Sequence, residues 1–185
     1  MLSEQEQIRR DSLQKIIDYG INPYPAAEFK VSHYSDAILA NFKEGEKVII
    51  AGRLMRRKIQ GKASFGTIQD SQGKIQVYFN RDVICSSEDK SMYNDFFKKW
   101  LDLGDILGIE GKVFKTMVGE ISINVDKFHL LSKSLKPLPL PKTDNEGIIH
   151  DGFNDSELRY RRRYVDLVVN AVSYTHLTLP TILLV

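Results

Sequence analysis

Apolar residues near the N-terminus recur at helical spacing. Ser3, followed three positions later by Glu6, forms a capping box that predicts where the helix begins. Gly20 supplies a left-handed cap where it ends. The pattern therefore predicts a helix over residues 3–19, with a narrow apolar stripe that lies against a larger body. The stripe consists of Leu13, Ile16 and Ile17.

From residue 47 onward, the helical spacing gives way to the alternation typical of strands. Alternate apolar positions indicate that one face of each strand is buried and the other is not. Gly52 inside the first strand predicts a bulge or a bend, and the slip of the alternation at Asp126-Lys127 predicts a bulge. The predicted strands are Lys47–Gln60, Ala63–Asp70, Lys74–Phe79, Asp105–Thr116 and Glu120–Leu131.

A segment with large apolar residues at helical spacing separates the third and fourth strands. These residues are Tyr93, Phe96, Phe97, Trp100 and Leu101. They predict a helix within Glu88–Leu101 that has one apolar face. Five strands with a helix between the third and fourth follow the order of the OB-fold, a Greek-key barrel. We therefore expect a mainly β fold with helices, in which this helix plugs one end of the barrel.

The rest of the chain differs in composition from the barrel. Residues 135–141 contain three prolines and predict an extended linker. Residues 155–166 are rich in arginine, and residues 171–185 contain no charged side chain. The expected divisions are a helical extension (1–22), the barrel domain (23–134), a linker and junction (135–170), and a tail that does not belong to the protein (171–185).

Composition limits the function classes. The chain has 185 residues, of which 26 are Lys or Arg and 24 are Asp or Glu, so the formal charge is only +2. Binding to nucleic acid through bulk charge is therefore not expected, and basic residues have to act locally. A single Cys excludes a disulfide framework. Glu4 and Glu6 argue against a signal peptide, and no apolar run approaches the roughly 20 residues of a membrane span, so we expect a cytoplasmic protein.

Common catalytic motifs are missing from the sequence. The four histidines and Cys85 are scattered and lack the spacing of zinc ligands. No phosphate-binding loop of the form Gly-x-x-x-x-Gly-Lys-Ser/Thr occurs, and Gly104, Gly108 and Gly111 do not form a dinucleotide fingerprint. We therefore predict no catalytic and no metal-binding residues.

Local charge is the positive signal. Six basic residues and no acid lie between residues 47 and 69, on the first two strands: Lys47, Arg53, Arg56, Arg57, Lys58 and Lys62. OB-folds bind oligonucleotides on strands two and three, where Phe65 and Tyr78 offer stacking surfaces. The alternative is a solvated basic face with Phe65 in the core, and the residues leave both interpretations open.

Glu120 and Gln76 extend this hypothesis to base identity. A carboxylate beside a phosphate-binding groove weakens binding unless it accepts a specific donor. The N3–H of uracil is such a donor, whereas cytosine presents a lone pair there, and the Gln76 amide can meet another polar group of a base. The alternative for Glu120 is an ordinary acid in a hairpin turn.

Several short motifs in order give a family resemblance. They are GINPYP at 20–25, GKASF at 61–65, GKIQ at 73–76, WLDLGDI at 100–106, FKT at 114–116, Gly119-Glu120, LSKSL at 131–135 and ELRYRRRY at 157–164. Together they resemble the N-terminal part of class II lysyl-tRNA synthetases of bacterial type. The resemblance runs from about residue 5 to residue 170.

The resemblance implies binding of the anticodon stem-loop of lysine tRNA. It assigns Phe65 to stacking on the central uridine, Gln76 and Glu120 to base reading, and Arg57 with Lys58 to a basic pair that contacts the bases. The family more usually has Arg where this chain has Lys58, which changes the contact from bidentate to a point charge.

The resemblance also implies a catalytic reaction, which takes place in a domain outside the motifs quoted above. The family activates lysine with ATP and Mg²⁺ in a catalytic domain, through which it largely forms homodimers. Residues 171–185 do not match that domain, so no cofactor site is carried over and the chain alone is expected to be inactive. The alternatives are a free-standing OB-fold module for single-stranded nucleic acid, and a protein-interaction module.

Overall fold

The computed structural model describes residues 2–86, 88–139, 142–143, 149–150 and 153–170. The chain divides into two compact units, residues 1–137 and 138–185. The tail proposed for residues 171–185 lies outside the described residues. Among those described, no helix has the length and apolar character needed to cross a membrane.

Five strands of the first unit close into a barrel in the order β1-β2-β3-β5-β4. All neighbouring pairs are antiparallel except β3 and β5, which run parallel. The predicted OB-fold barrel is confirmed, and every strand end lies within one residue of its predicted position. The strands are β1 (Lys47–Gln60), β2 (Ala63–Gln69), β3 (Lys74–Asn80), β4 (Ile106–Lys115) and β5 (Ile121–Ser132).

One predicted bulge is confirmed and the other is displaced. In the pairing of β4 with β5, Glu110 faces Lys127 and Gly111 faces Val125, so Asp126 is the extra residue. In β1 the extra residue is Met55, because Leu54 faces Ile68 and Arg56 faces Thr67. Of the two alternatives predicted at Gly52, the bulge is therefore not found there. A Cβ at Gly52 would lie 2.5 Å from the carbonyl oxygen of Gln69, so glycine is required there by close approach of the backbones.

The helix predicted within Glu88–Leu101 forms, but it is shorter than that range and its turns are wider than those of an α-helix. It is a π-helix over Met92–Trp100, and the Leu101 amide donates to the Phe96 carbonyl at 3.0 Å. Phe96 stacks on Phe128 with ring centroids 5.6 Å apart, and Phe97 packs on Phe79 at 4.3 Å. Burial of these rings inside the barrel stabilises a winding that helical spacing alone does not reveal.

The N-terminal helix α1 (Glu4–Asp18) begins with the predicted capping box and ends at Gly20, whose φ is +89°. Ile16 is buried, but Ile17 of the predicted stripe is exposed. Arg9 is buried instead, and its guanidinium donates to main-chain carbonyls that follow β5 and precede β4. These bonds attach α1 to the barrel. Two short helices were not predicted, α2 (Ser35–Ala40) and α3 (Arg81–Ile84).

The second unit contains two short antiparallel strands and two helices in its described residues. Asp155 caps the first helix by accepting from the Leu158 amide at 2.7 Å. Asp166 is buried and accepts from both Arg159 and Arg163. Part of the arginine-rich segment therefore forms ion pairs within this unit. The elements are β6 (Lys142–Thr143), β7 (Ile149–His150), α4 (Ser156–Arg161) and α5 (Arg163–Val169).

A buried ion network holds the segment between the π-helix and β4. The ammonium group of Lys133 is fully buried and binds the carboxylates of Asp102 and Asp105, the latter at 2.9 Å. Asp105 also accepts from the amides of Asp102 and Ser134. Burial raises the pKa of Asp105, and the adjacent ammonium group acts in the opposite direction.

We expect Lys133→Met to destabilise the barrel strongly, because it leaves two carboxylates without their buried cation. The free energy of unfolding should fall by about 3–5 kcal/mol in urea denaturation. The matched control is Lys43→Met, whose side chain is 71% exposed and contacts Glu46 at 3.6 Å. Its effect should stay within about 0.5 kcal/mol. Equal effects of the two substitutions would contradict the role given to the network.

Candidate nucleic-acid interface

The outer face of β2 and β3 carries a pair of aromatic side chains. Phe65 and Tyr78 are direct cross-strand partners, with ring centroids 5.0 Å apart and planes inclined at 50°. Both are half-buried, whereas the alternate residues of the same strands are buried in the barrel. The structure therefore places Phe65 on the outer face and not in the core. A tilted aromatic pair on an open sheet is a surface on which a base can stack.

A hydrogen-bonded set of polar side chains lies beside these rings. The side-chain amide of Gln76 donates to Oε2 of Glu120 at 2.8 Å. Its carbonyl oxygen accepts from the Ser122 hydroxyl, also at 2.8 Å. Ser122 faces Gln76 across the parallel pairing of β3 with β5. The structure thus brings together Gln76 and Glu120, which the sequence separates by 43 residues.

The short turn between β4 and β5 fixes Glu120. The Glu120 amide donates to the Thr116 hydroxyl at 3.0 Å, and the Thr116 amide donates to the Glu120 carbonyl at 2.9 Å. The carboxylate is exposed, and Gln76 occupies only one of its oxygens. The second oxygen is therefore available to accept from a donor outside the protein.

Arg57 does not lie with the other candidate residues. It faces Gly66, an inward position, and its guanidinium donates to the Phe97 and Leu101 carbonyls at 2.6 and 2.7 Å. The Met55 bulge causes this, because one extra residue reverses the faces of all residues beyond it. Burial lowers the pKa of Arg57, but a guanidinium remains charged at neutral pH. In this structure Arg57 thus caps the end of the π-helix, and the base contact that the resemblance implies for it stays a prediction.

The same bulge directs two other basic residues outward. Arg56 and Lys58 are exposed, and their β2 partners are the outward-facing Thr67 and Phe65. The predicted cluster of six basic residues is thus not a single face. Arg53, like Arg57, donates to a main-chain carbonyl, that of Gly104 at 2.7 Å.

A family model for OB-fold nucleic acid binding domains, named for the tRNA anticodon, matches residues 48–131. The matched region contains Phe65, Gln76 and Glu120 and ends within β5. The barrel is an OB-fold domain, by its strand order and by this match. We refer to it below as the OB domain.

Lysine–tRNA ligases are similar to most of this chain. The identity is 67% over 169 residues for that of Christiangramia forsetii, covering 91% of this chain and 30% of the relative. It is 52% over 175 residues for that of Porphyromonas gingivalis, covering 92% and 30%. It is 52% over 172 residues for that of Azobacteroides pseudotrichonymphae, covering 91% and 34%.

These matches confirm the resemblance to lysyl-tRNA synthetases inferred from the motifs. The chain spans about 30% of the length of the first two ligases.

Sequence reasoning did not identify Phe114 as part of the OB domain's outer face. Its ring lies 6.0 Å from that of Tyr78 in an edge-on arrangement, although the two belong to strands that do not pair directly. Phe114 faces Ser122 across the β4–β5 pair, and Ser122 faces Gln76. The sequence feature that could have identified Phe114 is its outward position in the alternation of β4. Only the barrel register shows that this position adjoins Ser122 and Gln76.

We expect Arg57→Met and Lys58→Met to change different properties of the OB domain. The first should lower its stability, and the second should change its binding of RNA. Arg57→Met leaves two carbonyls without a donor, so urea denaturation should show a loss of about 1–3 kcal/mol. RNA affinity, measured where the variant is folded, should hardly change. Lys58→Met should leave stability within about 0.5 kcal/mol and reduce the salt dependence of RNA binding by about one charge. Loss of RNA affinity in folded Arg57→Met would instead support the base contact that the resemblance implies for Arg57.

Proposed function

We propose that the OB domain reads the uridine-rich anticodon of lysine tRNA, as part of a lysine–tRNA ligase. The observation that carries the proposal is the Gln76–Glu120–Ser122 group beside Phe65 and Tyr78 on the open face of the barrel. The OB-fold family match and the names of the relatives support the same function.

In this proposal, stacking supplies affinity and hydrogen bonding supplies the preference for uridine. Phe65, backed by Tyr78, stacks on the central uridine and contributes about 1–3 kcal/mol without distinguishing the bases strongly. Glu120 accepts the N3–H of a uracil and disfavours cytosine, whose N3 lone pair faces the carboxylate. Gln76 is a positioning residue for this carboxylate, and Ser122 orients the Gln76 amide.

The charged residues of the same face supply the contact to the RNA backbone. Arg56 and Lys58 are exposed on the strand next to Phe65. Lys112 is also exposed, and it faces Asn124, which in turn faces Tyr78. Basic side chains on both sides of the aromatic pair suit a strand of RNA that crosses the sheet.

The complete ligase reaction is proposed for the longer protein. Lysine activation requires ATP and Mg²⁺, and among the described residues no group of three His, Cys, Asp or Glu side chains is placed to hold a metal ion. No step of the reaction is assigned to the described residues. We propose that the 185-residue chain has no aminoacylation activity by itself, and that the ligase acts in the cytoplasm as a homodimer.

We expect Glu120→Gln to narrow the preference for uridine over cytidine. A neutral amide oxygen accepts the uracil N3–H more weakly than a carboxylate does, and the glutamine NH₂ can donate to cytosine N3. With anticodon stem-loops carrying U or C at one position, the affinity ratio should fall about 3- to 10-fold. Glu44→Gln, at another exposed acid, should leave the ratio unchanged.

Two results would contradict the proposal. Unchanged discrimination in Glu120→Gln would remove the role of the carboxylate. Equal binding of poly-U and poly-C by the wild-type chain at fixed salt would instead support a free-standing module that binds single strands without base preference.

A further inference from the structure

Arg9, on the first half of α1, is a buried arginine that binds the place where the chain leaves the barrel. It is 8% exposed, although both its neighbours in α1 are exposed. Its guanidinium donates to the carbonyls of Leu103, Ser134 and Lys136 at 2.9, 3.1 and 3.2 Å. Leu103 lies in the turn before β4, whereas Ser134 and Lys136 follow the end of β5. A buried guanidinium is costly unless its donors are satisfied, and these carbonyls satisfy it.

The segment that follows β5, residues 133–136, is called the exit segment below, and other side chains hold it as well. The Tyr24 hydroxyl donates to the Lys133 carbonyl at 3.0 Å, and Asp105 accepts from the Ser134 amide at 2.8 Å. The Ser134 hydroxyl donates to the Lys136 carbonyl at 3.0 Å. Three of the four carbonyls of the exit segment thus accept from a side chain, whereas connecting segments on a surface commonly leave theirs to water.

The second half of α1 is attached independently of Arg9. Ile16 lies seven residues after Arg9, on the same face of the helix, and is fully buried. The Tyr19 ring lies edge-on to Trp100 at 5.4 Å, and its hydroxyl shares a hydrogen bond of 2.6 Å with Ser91 beside the π-helix. Apolar packing therefore holds α1 on the π-helix, so the bonds of Arg9 are not needed to keep the helix in place.

A proline-rich stretch continues the exit segment. Pro137 follows it directly, and residues 135–141 contain three prolines. Proline fixes one backbone dihedral angle, and proline-rich stretches keep an extended direction over several residues. The direction in which the exit segment is held is therefore passed on to the residues that follow.

We propose that α1 is a clamp, in which Arg9 fixes the direction in which the chain leaves the OB domain. Arg9 is a positioning residue for the exit segment, and the N-terminal extension serves the continuation of the chain. The inference goes beyond the proposed function and does not depend on it, because the clamp residues belong to α1, to Tyr24 and to the exit segment, and not to β2 or β3.

The test is NMR relaxation of the ¹⁵N-labelled 185-residue chain carrying Arg9→Met. The backbone order parameters of Leu135 and Lys136 should fall from about 0.85 to below about 0.6, the value of a flexible segment. Those of Phe128, within β5, should not change, because the barrel keeps its core. The matched control is Arg10→Met, at the exposed neighbouring arginine, which should leave the order parameters of the exit segment as in the wild type.

Two results with Arg9→Met would overturn the proposal. In the first, Leu135 and Lys136 remain as ordered as in the wild type. In the second, order is lost throughout α1 and β5, which would give Arg9 a general role in stability and no specific role at the exit.

Two milder variants keep the proposal testable if Arg9→Met does not fold. Tyr24→Phe removes the bond to the Lys133 carbonyl, and Ser134→Ala removes the hydroxyl that binds Arg9 and Lys136. Each should lower the order parameters of Leu135 and Lys136 by a smaller amount, with β5 unchanged. Wild-type order at these residues in both variants would overturn the proposal.

Discussion

The parallel pairing of β3 with β5 closes the barrel, and the position of every candidate residue depends on that closure. Across this pair Gln76 faces Ser122 and Val77 faces Ile123. The first pairing is outward and assembles the polar group that holds Glu120. The second is inward and contributes to the core, where both members are fully buried. One register therefore determines the hydrophobic interior and the arrangement of the candidate residues together, because side chains alternate between the two faces.

The π-helix fills the interior of the barrel from one end, and the carbonyl groups at the end of this helix need a charged donor. Its last turn leaves the Phe97 and Leu101 carbonyls to be satisfied by Arg57. A half-buried cation on β1 requires hydrogen-bond acceptors, and the buried Lys133, with its partners Asp102 and Asp105, shows the same requirement. Some of the charge that appears in the sequence as a nucleic-acid signal thus stabilises the plugged end of the barrel. The exposed residues Arg56 and Lys58 are the part that remains on the open face.

The sequence predicted much of the fold, and the reasons for success and failure are physical. Alternation located all five strands, and the slip at Asp126 revealed a bulge, because both signals are local in the chain. The capping box of Ser3 and Glu6 was visible for the same reason. The Met55 bulge left no such signal, so the sequence could not show that Arg57 faces inward and Lys58 outward. The contribution of Phe114 was also hidden, because its neighbour Tyr78 is brought to it only by barrel closure.

The central claim is that RNA lies on the outer face of β2, β3 and β5 and not at the plugged end of the barrel. The most direct measurement is an NMR titration of the isotopically labelled chain with a uridine anticodon stem-loop. We predict that the Gln76 side-chain amide and the Phe65 ring signals shift on binding, while the Arg57 guanidinium signal does not. Shifts concentrated at Arg57 and the π-helix, with Gln76 and Phe65 unchanged, would contradict this arrangement.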